Sequence, residues 1–333
     1  MKALVVILLA VVLSGCRAEY VDAPFWKMHT IEDQLEGADG VDLFDIDGDG
    51  DLDTVSGWEE AGDVLVHENP GAALVRKPWT RTSVSGGLPV PKIEDARFAD
   101  FDDDGQLDAV VSATENRSEQ VGIHWLLRRD NPYKKESWHG RAIAPQLQYL
   151  FVKVAIGQID GRGALDLAVG SKSDNKPAQL VWYQAPADPG PETTDDWRGR
   201  AIADINWTDS LEIVDINGDG ANDILLGYWQ HLAWYENPGH PDGDSAVWKP
   251  HLISDTTKSY FARCDAANAP ASALRIIVGA DISAAVPGAT VAWLVSKELD
   301  ANNVWNGRWL QQRITSPDPI PRDPEQHEYW VKS

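Results

Sequence analysis

Two short motifs alternate along this chain, and their periodicity restricts the fold more than any other feature. The first is a strand-like unit of tryptophan, two residues, a polar residue, any residue, then Ile or Val. Its copies begin at Trp26, Trp79, Trp138, Trp197, Trp248 and Trp309. Two of them are nearly identical, sharing Gly-Arg-Ala-Ile-Ala at 140–144 and 199–203. The second motif is an acidic turn, D-x-D/N-x-D-G-x-x-D, at 45–53, 100–108 and 215–223. A weakened copy occupies 158–166, and a fifth is worn down to Cys264-Asp265-Ala266-Ala267-Asn268. An apolar and aromatic run follows each turn, including Val64-Leu65-Val66, Trp125, Trp182-Tyr183, Trp234-Tyr235 and Trp293.

Each period therefore holds four β-type runs of roughly 4–7 residues, separated by Gly, Pro and Asp turns. No stretch keeps a helical apolar period. Four strands per repeat is the pattern of a β-propeller, in which one blade cannot bury both sheet faces and its neighbours must. The repeated tryptophans are expected to pack between blades. Five complete periods predict five four-stranded blades in one all-β domain over 25–333. The extra tryptophan copy at 26–31 predicts ring closure by an N-terminal strand. The C-terminal residues 326–332 resemble 148–153, which lead into an acidic turn, so six or seven blades follow if the chain stops short of a larger fold.

The acidic turn and the ending Trp234-Tyr235-Glu236-Asn237-Pro238-Gly239 resemble the FG-GAP/VCBS family of bacterial propeller repeats, similar to those of integrin α subunits. The resemblance covers about residues 25–330. It implies a propeller and leaves activity open, because such repeats serve adhesion, sugar binding and some enzymes.

The turns carry the chemistry of a hard cation. Ca²⁺ takes six to eight oxygens, and side chains at turn positions 1, 3, 5 and 9 with a carbonyl at position 7 can supply them. Gly at position 6 permits the tight curl. The expected ligands are Asp45, Asp47, Asp49, Asp51 and Asp53; Asp100, Asp102, Asp104, Gln106 and Asp108; and Asp215, Asn217, Asp219, Ala221 and Asp223. Asp51, Gln106 and Ala221 would act through their backbone. Position 12 holds Ser56, Val111 or Leu226, so the bidentate Glu of an EF-hand is missing. The turn at 158–166 has Gln158 and Arg162 where carboxylates belong, and it is expected to hold metal weakly or not at all.

The N-terminus reads as an address. Lys2 precedes an apolar run over 3–13 and then Ser14-Gly15-Cys16. The run is too short for a bilayer span, which needs about 20 residues, and suits a signal peptide. Leu13-Ser14-Gly15-Cys16 resembles a bacterial lipobox. That implies a signal peptide over 1–15, lipidation at Cys16 and a tether over 16–24. Arg17 after the cysteine points, by resemblance to enterobacterial sorting, to the outer membrane. Cys264 is then left without a disulfide partner and is expected to be a buried thiol.

Charge excludes two function classes. The chain has 52 acidic and 29 basic side chains, a net charge of −23. Neutralising nucleic-acid phosphates or docking a basic face on anionic lipid needs the opposite balance. The sequence contains no H-E-x-x-H, C-x-x-C, phosphate-binding Gly loop or G-x-S-x-G. Candidate ligand-face residues are His29, Arg141, Arg200 and His251, which share one slot of the tryptophan strand, with His67 and His124. The expectation is a calcium-stabilised, lipid-anchored envelope protein that binds polysaccharide or a partner protein, with no recognisable catalytic motif. A sugar lyase or dehydratase on the same propeller is the alternative. Two or more carboxylates or histidines converging at the central mouth would favour the enzyme.

Overall fold

The computed structural model describes residues 29–87, 92–114, 122–143, 150–172, 178–190, 192–228, 231–239, 241, 246–255, 259–264, 275–280, 291–299 and 305–315. From residue 254 onward, side chains are described only at 307–309. Cys16, Trp26, the side chain of Cys264, the fifth turn and residues 326–332 lie outside this set.

Five antiparallel four-stranded sheets follow one another along the chain. The first contains β1 (Ala38–Phe44), β2 (Asp53–Trp58), β3 (Asp63–Glu68) and β4 (Thr80–Ser83). The second contains β5 (Ile93–Ala99), β6 (Asp108–Ala113), β7 (Gly122–Arg128) and β8 (Trp138–Ile143). The third contains β9 (Leu150–Gly157), β10 (Asp166–Lys172), β11 (Ala178–Gln184) and β12 (Arg198–Ile205). The fourth contains β13 (Thr208–Val214), β14 (Asp223–Tyr228), β15 (His231–Glu236) and β16 (Lys249–Asp255). The fifth contains β17 (Ser259–Cys264), β18 (Arg275–Ala280), β19 (Val291–Leu299) and β20 (Trp305–Thr315). The strand order within each sheet is sequential, as in a propeller blade. The first strands of successive blades, β1, β5, β9, β13 and β17, contact one another. Arg97 on β5 reaches Glu212 on β13, two blades away, at 3.9 Å.

Three of the repeat tryptophans, Trp138, Trp197 and Trp248, pack between blades, whereas Trp79 is half-buried and donates its indole N–H to the Val75 carbonyl at 3.0 Å. Trp138 joins a core made of first-blade and second-blade residues, including Val55, Val66, Phe98 and Val111. Trp197 stacks on Phe101, with centroids 5.7 Å apart, in the second-to-third interface. Trp248 lies in the third-to-fourth interface with Leu180, Leu211 and Ile224. The aromatics of the third strands, Trp125, Trp182 and Tyr183, are fully buried. Each such side chain contributes about 1.5–3 kcal/mol of burial, so the interfaces hold neighbouring blades together.

Of the extra N-terminal copy at 26–31, residues 26–28 lie outside the described set. Its described residues are coil. The Ile31 carbonyl accepts the Trp79 N–H at 3.1 Å, and Glu32 pairs with Arg81 at 2.6 Å. This end of the copy thus docks on the first blade.

Candidate functional site

Each acidic turn joins the innermost strand of a blade to its second strand. Gly50, Gly105, Gly163 and Gly220 take positive φ (95°, 82°, 62° and 90°), which gives the expected curl. Position 4 is also left-handed, and there the second turn uses Asp103 at φ 55°. The first carboxylate is the hub. Asp45 accepts N–H bonds from Gly48 and Gly50 at 2.8 and 3.0 Å, and Asp215 from Gly218 and Gly220 at 2.6 and 3.0 Å. The position-5 carboxylates of Asp49, Asp104 and Asp219 each take the N–H two residues on, at Asp51, Gln106 and Ala221. One oxygen from each of Asp45, Asp47 and Asp49 lies within 4.8 Å of the others, and the same holds for Asp100, Asp102 and Asp104. These donor sets are all hard oxygen, suited to Ca²⁺.

The third turn has replaced such a set with its own side chains. The Gln158 amide nitrogen donates to the carbonyls of Arg162, Gly163 and Ala164 at 3.2, 3.2 and 2.9 Å. Ala164 is position 7, whose carbonyl would face a metal. Arg162 lies 3.3 Å from Asp160. A neutral donor and a guanidinium thus do locally what a cation would do.

The carboxylate at position 9 has a role that spacing did not reveal. Asp53, Asp108, Asp166 and Asp223 are buried in all four turns, including the third. One oxygen accepts an N–H at the end of the third strand, from Arg128, its last residue, or from Asn69, Ala185 or Asn237 just past it, at 2.7–2.8 Å. In the first, third and fourth turns the other accepts the N–H of Ile46, Ile159 or Ile216. In the second it takes the Trp125 indole N–H at 2.7 Å. These residues are therefore clamps first. A carboxylate has about four lone-pair sites, so clamping and metal ligation are compatible. Burial pushes Asp108 and Asp223 up to about 7 and Asp166 up to about 6, despite the N–H bonds they accept.

Arg129 occupies the second turn, with its guanidinium 2.7 Å from Asp102 and 2.8 Å from Asp104. Metal and arginine would share oxygens. Exposed ion pairs contribute about 0.2–1 kcal/mol, so Arg129→Gln is expected to tighten Ca²⁺ at this turn up to about fivefold. Titration calorimetry checks this, and unchanged or weaker binding would count against the competition.

A second constellation lies at the opposite end of the innermost strands. Every one of these strands starts with a one-residue bulge against its second strand. The extra residues are Glu94, Val152, Asp209 and Tyr260, and in the first blade Asp39 and Gly40 face Gly57 alone. A Cβ at Gly57 or Gly170 would run into Ile93 or Thr208 of the next blade, so glycine lets the bulges seat closely. Bulges at sheet ends re-aim side chains. Here they bring one oxygen each of Asp39, Glu59 and Glu94 within 4.8 Å. Glu94 also accepts the Thr114 hydroxyl at 3.0 Å and pairs with Lys172. Lys153 donates to the Glu94 carbonyl at 3.4 Å, and Lys92 to Glu59 at 3.3 Å. Further along the first strands, burial opposes the charge of Arg97, but Asp95, Glu212 and Asp42 more than offset it and hold the guanidinium protonated. The signal for this end was present as an acid six residues before three of the turns, at Asp39, Glu94 and Asp209.

The six candidate ligand-face residues are not brought together. His29 is exposed in the N-terminal coil. His67 and His124 are buried inside the first and second blades. Burial lowers the pKa of His67, which meets the Thr54 hydroxyl at 3.2 Å. Arg141, Arg200 and His251 sit on the outermost strands, opposite Trp125, Trp182 and Trp234. Arg200 lies 5.7 Å from the Trp182 ring, and His251 stacks on Trp234 at 4.2 Å while bonding Glu236 at 2.6 Å. The slot covers buried indoles on separate blades.

Residues 45–111, which hold the first two turns, match the family model described as an FG-GAP-like repeat. No curated protein matches the chain. Among 36 solved chains that match, one is described by its recognition of non-reducing terminal N-acetylglucosamine as an Agrocybe aegerita lectin. Its TM-score is 0.43 at 15% identity, over 84% of this chain and 66% of that one. The chain thus spans just under two thirds of that lectin.

Proposed function

Starting from a β-propeller that carries FG-GAP-like repeat sequence, we propose that this protein is a calcium-stabilised, lipid-anchored binding propeller of a bacterial cell envelope, with polysaccharide or an envelope protein as its partner. The convergence of Asp39, Glu59, Glu94 and Lys172 at one channel mouth supports binding. Side chains from three blades meet there, and rigid, convergent polar groups are what a ligand site needs. The preformed carboxylate triads support calcium at the first two turns, and the matching geometry of Asp215 supports the fourth. Leu13-Ser14-Gly15-Cys16 supports the anchor, and Arg17 an outer-membrane destination.

A glycan array read with and without EGTA tests binding, and fractionation of Cys16→Ser tests the anchor. The protein is expected to bind a glycan in calcium and lose affinity in EGTA. Cys16→Ser is expected to move it from the membrane to the soluble fraction. The same carboxylate convergence favours the second reading, a carbohydrate-active enzyme. Appearance of unsaturated or shortened products from a bound polysaccharide would establish that reading.

A further inference from the structure

We propose that the mouth opposite the acidic turns binds a ring of a neutral polysaccharide, with Trp207 as the stacking face and Glu94 with Lys172 as the polar contacts. This rests on the polysaccharide reading above and gives it a place on the molecule.

Trp207 is 36% exposed, and among the described residues it is the one tryptophan counted with the exposed large apolar side chains. Trp207 thus presents part of its ring to solvent, unlike the buried Trp138, Trp197 and Trp248. It is also held in place. Lys172 forms a backbone bridge to Trp207, and its ammonium lies 5.3 Å from the ring centroid.

The same ammonium pairs with Glu94, which comes from the preceding blade and is 6% exposed. Burying an acid and an amine costs several kcal/mol per ion before their attraction offsets it, and a packing role would be served better by apolar residues. The bulge at Glu94 turns this carboxylate toward Lys172 and the Thr114 hydroxyl. Thr114 and Lys172 both donate to Oε1 of Glu94, which leaves the other carboxylate oxygen as an acceptor and the remaining ammonium hydrogens as donors next to a flat apolar face. Sugar rings offer that pairing, with hydroxyls that both donate and accept and an apolar C–H face.

Charge selects the class of sugar. Asp39 and Glu59 lie beside Glu94, and the chain carries −23 overall. Lys92, Lys153 and Lys172 balance these three acids at the mouth itself, so it is the overall charge that disfavours uronate and sulfate polymers and leaves uncharged ones unopposed.

The test is binding of the full-length protein, in detergent and calcium, to immobilised neutral glucans, mannans and xylans, with alginate and polygalacturonate as charged probes. Trp207→Ala and Glu94→Gln are compared with wild type, and melting curves report folding. Wild type is expected to bind a neutral polymer and neither charged one. Trp207→Ala is expected to weaken binding about tenfold or more, as aromatic anchors do, while the protein still melts in one cooperative transition. Glu94→Gln is expected to weaken it in the same direction. Neutral-polymer binding that both variants leave intact overturns this site while polysaccharide binding stands. Preference for alginate or polygalacturonate overturns the neutral assignment. Wild type that binds no glycan overturns the polysaccharide reading and this site with it.

Discussion

In EGTA the protein is expected to melt roughly 15 °C lower than in millimolar calcium. The first and second turns each hold five carboxylates within nine residues, which repel one another, and three of them converge within 4.8 Å. A cation that binds only the folded turn stabilises by about 2.7 kcal/mol when free calcium is a hundredfold above Kd. Three such sites give about 8 kcal/mol, and about 2 °C per kcal/mol is the usual conversion for a domain of this size. Asp47→Asn and Asp102→Asn should each remove about a third of the calcium-dependent part, since each disables one site. Gln158→Ala should leave that part untouched, because the third turn supplies its own donor. Calorimetric melting in both buffers checks this, and a melting point indifferent to EGTA would remove calcium from the proposed function.

Asp166→Ala is expected to cost about 4 kcal/mol in calcium and EGTA alike. Asp166 accepts three backbone N–H groups, from Ile159, Asp160 and Ala185 at 3.1, 3.2 and 2.8 Å. Each buried donor left without a partner costs about 1–3 kcal/mol. The third turn holds no metal in this account, so calcium cannot compensate. Denaturant melts measure it, and a loss that appears only in calcium would contradict the clamp. The same residue predicts a pH dependence. Burial raises its pKa from 3.8 to about 6, so the folded state binds the proton more tightly than the unfolded chain. Its contribution is fully present below pH 3.8, falls as pH rises toward about 6, and is flat above that. Asp166→Asn should remove this slope, with or without calcium.

The clamp illustrates what a motif can and cannot disclose. The sequence placed an aspartate at position 9 of four turns and explained it as a ligand. The third turn should have raised doubt, since it keeps Asp166 after losing the carboxylates at positions 1 and 5. The hydrogen-bond partner lies 14 to 20 residues away, at the end of the third strand, and local spacing does not report on it. The ligand-face slot is a related case. Arg141, Arg200 and His251 share a register in sequence, and the structure gives that register a packing meaning over the buried third-strand indoles.

The sequence by itself determined the blades. Strand length, turn chemistry and the tryptophan repeat are local properties that recur, and five sheets of four strands appear where the periods fall. The curl of the acidic turns was equally legible, because a glycine at a fixed offset sets the backbone directly. Tertiary structure alone decided the channel mouth. Lys172 and Glu94 are 78 residues apart, and their meeting depends on how neighbouring blades seat against one another's bulges. A bulge leaves no fixed residue signature, and a side chain aimed across an interface has no period in its own strand. Residues that make a repeat are therefore readable one unit at a time, whereas residues that make a site from several units become visible only once the blades are assembled.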